Sequence, residues 1–264
     1  MANPAFRNEA FHEDRFATAP DLSAEELQAR YEAPAAIRPG DDVMTIQDTV
    51  VKSVATFAVL LLGAGVGWVF AAVPGIWVGA ALVALVLGFV NAFKRVPSAP
   101  LVLLYSAAEG IFVGGLSGLL EAQFHGIVSQ AVIATFVVVG VTLALFASGR
   151  IRASARATKV FLIALVGYGL FSLLNVILMV TGVSTDPWGL RTGVTLFGIP
   201  LGVLLGVLAV LLGAYSLVLD FDFIQRGARN GLPRVYGWQG AFGIVVDVVW
   251  LYTEILRLLA IARR

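Results

Sequence analysis

Long apolar stretches dominate the chain from Val50 onward and alternate with short polar breaks. Each stretch is close to the roughly 20 residues that a helix needs to cross a bilayer core. Because backbone polar groups in lipid must be satisfied within the segment itself, these stretches are predicted to be helices. We place them at residues 50–72, 75–93, 98–120, 127–147, 158–181, 196–219 and 239–261. The predicted fold is an all-α, polytopic membrane bundle with seven transmembrane helices.

Residues 1–49 differ from the rest of the chain in composition, because they contain ten acidic and four basic residues and no long apolar stretch. Such a segment cannot bury enough apolar surface to fold by itself. Ser23 and Glu26 have the spacing of a capping box and could begin a short helix. We therefore expect an acidic, mostly disordered tail over 1–49 and a transmembrane domain over 50–264.

The basic residues favour one orientation of this bundle. Arg191 is the only Lys or Arg in the loops after spans one, three and five. The loops after the even-numbered spans contain nine: Lys94, Arg95, Arg150, Arg152, Arg156, Lys159, Arg226, Arg229 and Arg234. Since cationic loops stay in the cytoplasm, the N-terminus is predicted to be cytoplasmic and the C-terminus outside. Arg263 and Arg264 fit this poorly, so a last helix that re-enters from the cytoplasm stays open.

The overall composition excludes several classes of function. Apolar residues make up 59% of the chain, charged residues 13%, and the net charge is +1, which gives no concentrated basic face for nucleic acid. The chain has no cysteine, so disulfides, thiolate nucleophiles and iron–sulfur clusters are excluded. His12 and His125 both lie outside the spans, which makes a histidine metal site improbable. We expect no cofactor.

Four carboxylates lie in or beside the last two predicted spans: Asp220, Asp222, Asp247 and Glu254. An ionisable group within a membrane span raises the free energy of insertion by roughly 2.5–3.5 kcal/mol, so such residues in a span indicate a functional or structural role. Our interpretation is that some of them face each other across the bundle and gate an ion path.

The spacing of these carboxylates limits which of them can meet. Asp220 and Asp222 are two residues apart and lie on different faces of a helix, so at most one faces any given interior. Arg226 could pair with Asp222 as an ordinary surface ion pair. Asp247 and Glu254 are seven apart and share a face. Arg257, one turn beyond, could simply neutralise Glu254.

The third span contains Gly110, Gly114 and Gly118, which recur every four residues and predict a smooth surface for another helix. Glu109 lies beside this surface near the middle of the span. It is either a functional carboxylate or one that is protonated or hydrogen-bonded by Tyr or Ser neighbours. Ser117 lies in a Gly-x-Ser-Gly string that resembles the nucleophile region of rhomboid proteases. No span contains a histidine base, so we predict no catalytic residue and no enzyme activity.

Three strings carry a resemblance to a known family: YSAAEGIFVGGLS from Tyr105, DFDFI from Asp220, and LYTEILRLL from Leu251. With the span count, they resemble the Bax inhibitor family, the TMBIM or YccA-like integral membrane proteins, over about residues 45–262. The start at Asn3-Pro-Ala-Phe6, followed by an acidic tail, looks like an actinobacterial branch. The resemblance implies a bacterial plasma-membrane protein.

The resemblance also implies a pH-sensitive calcium leak channel, in which two aspartates of the last two spans share a proton and hold the pore. By that resemblance the first is Asp220 or Asp222, and the second is matched by Glu254 after Leu-Tyr-Thr. Asp220 and Glu254 are then possible Ca²⁺ ligands. A hairpin turning near Pro233 would instead put Asp220 level with Asp247, so that pairing stays open.

Two carboxyl groups held together in a low dielectric cannot both ionise easily, so the pair would hold one proton near neutral pH. The shared proton would join the last two spans, and its loss would leave oxygen ligands suited to Ca²⁺. Arg257 could lock such a site closed. Without a nucleotide motif, the expected function is a passive leak of Ca²⁺ governed by protons. The alternative is a non-transporting regulator that binds a membrane protease or other protein partner.

Overall fold

The computed structural model describes residues 42–186, 188–196 and 198–263. Seven long helices run through these residues: α1 Ile46–Val69, α2 Pro74–Phe93, α3 Ala99–Gln123, α4 Ile127–Ala147, α5 Ala155–Val180, α6 Leu201–Arg229 and α7 Gly237–Ala262. The predicted acidic tail up to residue 41, with the capping box at Ser23, lies outside the described residues.

Short elements lie in the connections before α6 and α7. A one-turn helix, Leu190–Gly193, and two antiparallel strands, β1 Thr195–Leu196 and β2 Ile199–Pro200, precede α6. A 3₁₀ turn, Arg234–Tyr236, leads into α7.

Six of the described helices, α1 to α6, are long and apolar enough to cross a membrane. Their outward side chains suit lipid, because apolar residues such as Leu62, Phe93 and Val180 are largely exposed in the isolated chain. α7 has 26 residues but carries Asp247, Glu254 and Arg257. An all-α membrane bundle is therefore confirmed, and the crossing by α7 stays a prediction.

α7 lies at the centre of the bundle and packs against α1, α3, α4 and α6. One group of buried side chains joins it to α1 and α3 through Leu60, Val113 and Val249. A second group joins it to α4 through Ile127 and Leu256. A helix with three charged residues is thus largely enclosed by protein, as expected where such residues face a bundle interior.

α6 is longer than the sequence predicted, which corrects the positions of two carboxylates. The predicted span ended at Leu219, whereas the helix continues to Arg229, so Asp220 and Asp222 lie inside it. The extra turns are polar yet helical, because Asp222 pairs with Arg226 four residues on and the basic residues favour the helix C-terminus. The helix ends before Gly231, whose φ of 65° suits a left-handed terminating position.

The start of α1 also differs from its prediction, because it begins at Ile46 rather than Val50. Thr45 caps the helix, and its hydroxyl accepts a hydrogen bond from the backbone N–H of Asp48. Just before it, the N–H of Met44 donates to the carbonyl of Leu232 at 2.7 Å. The first described residues are therefore attached to the connection between α6 and α7.

The cationic loops gather at one end of the bundle. Arg152 donates to the Gln225 side chain at 2.8 Å, and Tyr236 donates to the carbonyl of Arg95 at 3.4 Å. At the far end of α7, about 39 Å away by helical rise, Arg263 donates to the carbonyl of His125. This arrangement fits an odd number of crossings, and the side that faces the cytoplasm stays a prediction.

Candidate functional site

Two carboxyl groups meet where α6 packs against α7. The side chains of Asp220 and Asp247 lie within hydrogen-bonding reach of each other, and Ser216, one turn before Asp220, reaches Asp247. Asp247 is only 7% exposed. The Oδ2 atoms of both aspartates are buried and have no hydrogen-bond partner within the described ranges. Two adjacent acidic groups with unused oxygens are suited to holding one proton between them.

Gly243 lets this approach occur and was missed by the sequence reasoning. It lies one turn before Asp247 on α7, directly under the Asp220 side chain. A Cβ added there would lie 2.5 Å from Asp220 Oδ1 and 2.6 Å from Oδ2, closer than real contacts allow. The available signal was its position four residues before Asp247, on the same helical face.

Asp222 and Glu109 do not join this pair. Asp222 binds Arg226 one turn further along α6, as the spacing predicted; the Asp222 side chain is 16% exposed and the Arg226 side chain 64%. Glu109 lies within hydrogen-bonding reach of Tyr105 on α3, which matches the hydrogen-bonded alternative for this carboxylate. Tyr105 also interacts electrostatically with Asp247 across the contact of α3 with α7.

Glu254 has other partners, so the pairing of Asp220 or Asp222 with Glu254 is not formed. Its Oε1 atom accepts hydrogen bonds from the Tyr168 hydroxyl at 2.6 Å and from Arg257 Nη1 at 2.7 Å. Seven residues separate it from Asp247, about 10 Å along the helix. The turn between α6 and α7 puts Asp220 level with Asp247 instead. Arg257 neutralises Glu254, as the simpler interpretation expected.

The proposed Ca²⁺ ligands Asp220 and Glu254 are therefore apart. Among the described residues, no group of three or more His, Cys, Asp or Glu side chains could hold a metal ion. Asp220 and Asp247 offer two carboxylates, fewer oxygens than the six to eight that a Ca²⁺ ion takes. The two carboxylates are better suited to weak, transient binding of a cation than to tight binding.

Arg191 is a second residue that the sequence reasoning missed as part of a site. Sequence placed it in a loop, yet its side chain is 4% exposed and lies 3.9 Å from Glu254 Oε2. It donates to the Tyr168 hydroxyl at 3.0 Å and to Ser172 at 2.9 Å. The available signal was that Arg191 is the only Lys or Arg in the loops after spans one, three and five.

The contacts of Ser117 stabilise helix packing. Its hydroxyl lies 2.6 Å from the carbonyl of Val113, to which it donates, and 2.6 Å from the Tyr252 hydroxyl. The residue is 3% exposed. These contacts tie α3 to α7 and place a phenol, not a histidine, beside the serine.

The family comparison covers almost the whole chain. A family model described as Bax inhibitor 1 like matches residues 3–264, which include the aspartate pair, Glu254 and the glycines of α3. No curated protein gives a significant match. The resemblance predicted from the three sequence strings is thus confirmed, while the actinobacterial branch stays a prediction. The chain belongs to the Bax inhibitor 1-like family.

Proposed function

We propose that the protein is a proton-gated leak channel for Ca²⁺ and related cations, with Asp220 and Asp247 as its gate. The observation that carries this proposal is the meeting of two carboxyl groups, one from each of two packed helices, with an unpaired oxygen on each. Membership of the Bax inhibitor 1-like family supports a membrane role for the bundle.

The proposed mechanism follows from charge. With one proton between the carboxyl groups, a hydrogen bond joins α6 to α7 and the path is closed. Loss of the proton leaves two negative charges, which repel each other and offer hard oxygen ligands to a cation. The acidic and phenolic groups near the pair are Glu109 and Tyr105 on α3. Flux should therefore be low at mildly acidic pH and rise at mildly alkaline pH.

The test is calcium flux into liposomes that contain the purified full chain, measured at mildly acidic and mildly alkaline pH. We expect Asp220→Asn and Asp247→Asn to remove the pH response, because neither variant can share a proton between two carboxylates. Asp222→Asn is the matched control, since it removes a carboxylate two residues away that binds Arg226 instead. A wild-type pH response in both Asn variants at the gate would disprove the assignment.

Gly243→Ala should loosen the gate without removing either carboxylate. The new Cβ would displace the Asp220 carboxyl from its place against α7. A net hydrogen bond contributes about 0.5–1.5 kcal/mol, so flux at acidic pH should rise about twofold to tenfold. Gly140→Ala on α4 is the control, because a Cβ there meets open space. Equal flux in the two alanine variants would contradict this role for Gly243.

A second candidate is a regulator without flux of its own, which binds a membrane protease or another protein partner through the acidic tail. It is favoured by the attachment of the last part of the predicted tail to the connection of α6 and α7, where the N–H of Arg234 donates to the carbonyl of Asp42 at 2.7 Å. A partner that pulls on the tail would thereby act on both helices. Lack of calcium flux from wild-type liposomes at both pH values would favour this candidate.

A further inference from the structure

A cavity of about 370 Å³ lies between α5, α7 and the segment around Arg191, separate from the aspartate pair. Its polar wall consists of Tyr168, Ser172, Asn175, Arg191, Glu254 and Arg257. The two guanidinium groups and one carboxylate of this wall leave a net charge of +1 when all three are ionised. Such a charge, in a partly enclosed cavity, attracts an anion.

Arg191 is held rigidly in this wall. Its Nη2 atom donates to the Tyr168 hydroxyl and to Ser172, and its guanidinium lies 5.2 Å from the centre of the Tyr168 ring. A second ring, Phe171, lies at 5.8 Å. Because the guanidinium group is a planar fork with five donors, fixing one side of it also fixes the direction of the other.

Two atoms of the wall lack the hydrogen bonds that burial requires. Arg191 Nη1 and Glu254 Oε2 are both buried and have no hydrogen-bond partner in the part of the chain that the structure describes. They lie 3.9 Å apart, too far for a hydrogen bond between them. A buried polar group left in this condition is costly. A ligand that accepts from Arg191 and donates to Glu254 would satisfy both atoms.

We propose that this cavity binds a phosphate ester of a polyol. A phosphate oxygen would accept from Arg191 Nη1 and from free donors of Arg257, since guanidinium forks match phosphate geometry. A hydroxyl of the polyol would donate to Glu254 Oε2.

The cavity also has an apolar side, formed by Val176, Met179 and Trp188. Val176 is 53% exposed and belongs to the outward face of α5, so this side borders the surface that faces lipid. A lipid headgroup could therefore enter while its chains stay outside, and a free polyol phosphate has the same binding chemistry. The two sources are separated by experiment.

The test is binding by the purified full chain. Native mass spectrometry compares retention of phosphatidylglycerol with that of phosphatidylcholine, and calorimetry measures glycerol 3-phosphate in lipid-free detergent. Preferential retention of phosphatidylglycerol identifies a lipid source, and binding of glycerol 3-phosphate identifies a soluble one. In either case Arg257→Gln and Arg191→Gln should bind roughly tenfold more weakly, because each loses a charge-assisted hydrogen bond.

Arg226→Gln is the matched control, because Arg226 lies outside the cavity and binds Asp222. Its affinity should equal that of the wild type. If Arg191→Gln does not fold, Arg257→Gln decides the test, since the Arg257 side chain is 29% exposed. The proposal is overturned if neither probe binds, if the two lipids are retained equally with no binding of glycerol 3-phosphate, or if Arg257→Gln binds as tightly as the wild type.

Discussion

Replacing Gly114 with alanine is expected to lower the free energy of unfolding by about 3 kcal/mol. The added Cβ would overlap the backbone of Ala64 on α1. The facing surface of α1 is packed equally closely, because a Cβ on Gly67 of α1 would overlap the backbone of Ile111 on α3. Backbone atoms cannot turn aside as a flexible side chain can, so α1 and α3 would have to separate and lose their contacts.

Gly140→Ala is the matched control for this prediction. Gly140 is also within a membrane helix, but nothing lies within 4 Å of a Cβ added there. Alanine has the higher helix propensity, so stability should stay within about 1 kcal/mol of the wild type. Denaturant titration of the detergent-purified proteins measures both variants. Equal stability of Gly114→Ala and Gly140→Ala would show that the α1–α3 contact tolerates a methyl group.

The glycines of α3 illustrate what periodicity can predict. A repeat of four places Gly110, Gly114 and Gly118 on one face, and all three lie against α1 or the residues just after it. The prediction of a packing surface is confirmed. Its partner could not be predicted, because spacing along one helix contains no information about which other helix approaches it.

The limits of the apolar pattern explain the error in α6. Hydropathy locates the part of a helix that suits lipid, and it ends where polar residues begin at Asp220. The backbone hydrogen bonds of the helix continue beyond that point for as long as the residues favour helical structure, here to Arg229. The difference of about three turns matters for the site, since it moves Asp220 from a helix end into a helix-to-helix contact.

Which carboxylates pair depends on the axial register of α6 relative to α7. Helical periodicity predicted that Asp247 and Glu254 share a face, but not which of them lies level with Asp220. That level is set by where the chain turns, and the turn falls between Arg229 and Arg234. A symmetric turn near Pro233 was the only sequence argument for Asp220 with Asp247, and the geometry agrees with it.

Removing the guanidinium of Arg191 should be the other severe change. Arg191→Met is expected to lower the free energy of unfolding by about 3 kcal/mol, because it leaves Glu254 with one fewer cation and removes donors to Tyr168 and Ser172. Glu254 keeps Arg257 as a partner, but its enclosed carboxylate is then balanced by one cation instead of two, which weakens the compensation for its burial. The same denaturant titration provides the measurement.

Arg226→Met is the matched control for this prediction. It also replaces an arginine by methionine, but the arginine that it removes is exposed. The Arg226 side chain is 64% exposed, so water takes over most of its interactions, although its partner Asp222 is 16% exposed. The expected change is about 0–1 kcal/mol. Adding Glu254→Gln to Arg191→Met should recover part of the lost stability, because the enclosed carboxylate, which then keeps only the partly exposed Arg257 as a cation, is replaced by a neutral side chain. If the double variant is no more stable than Arg191→Met, the cost lies in packing and hydrogen bonds and not in an enclosed charge.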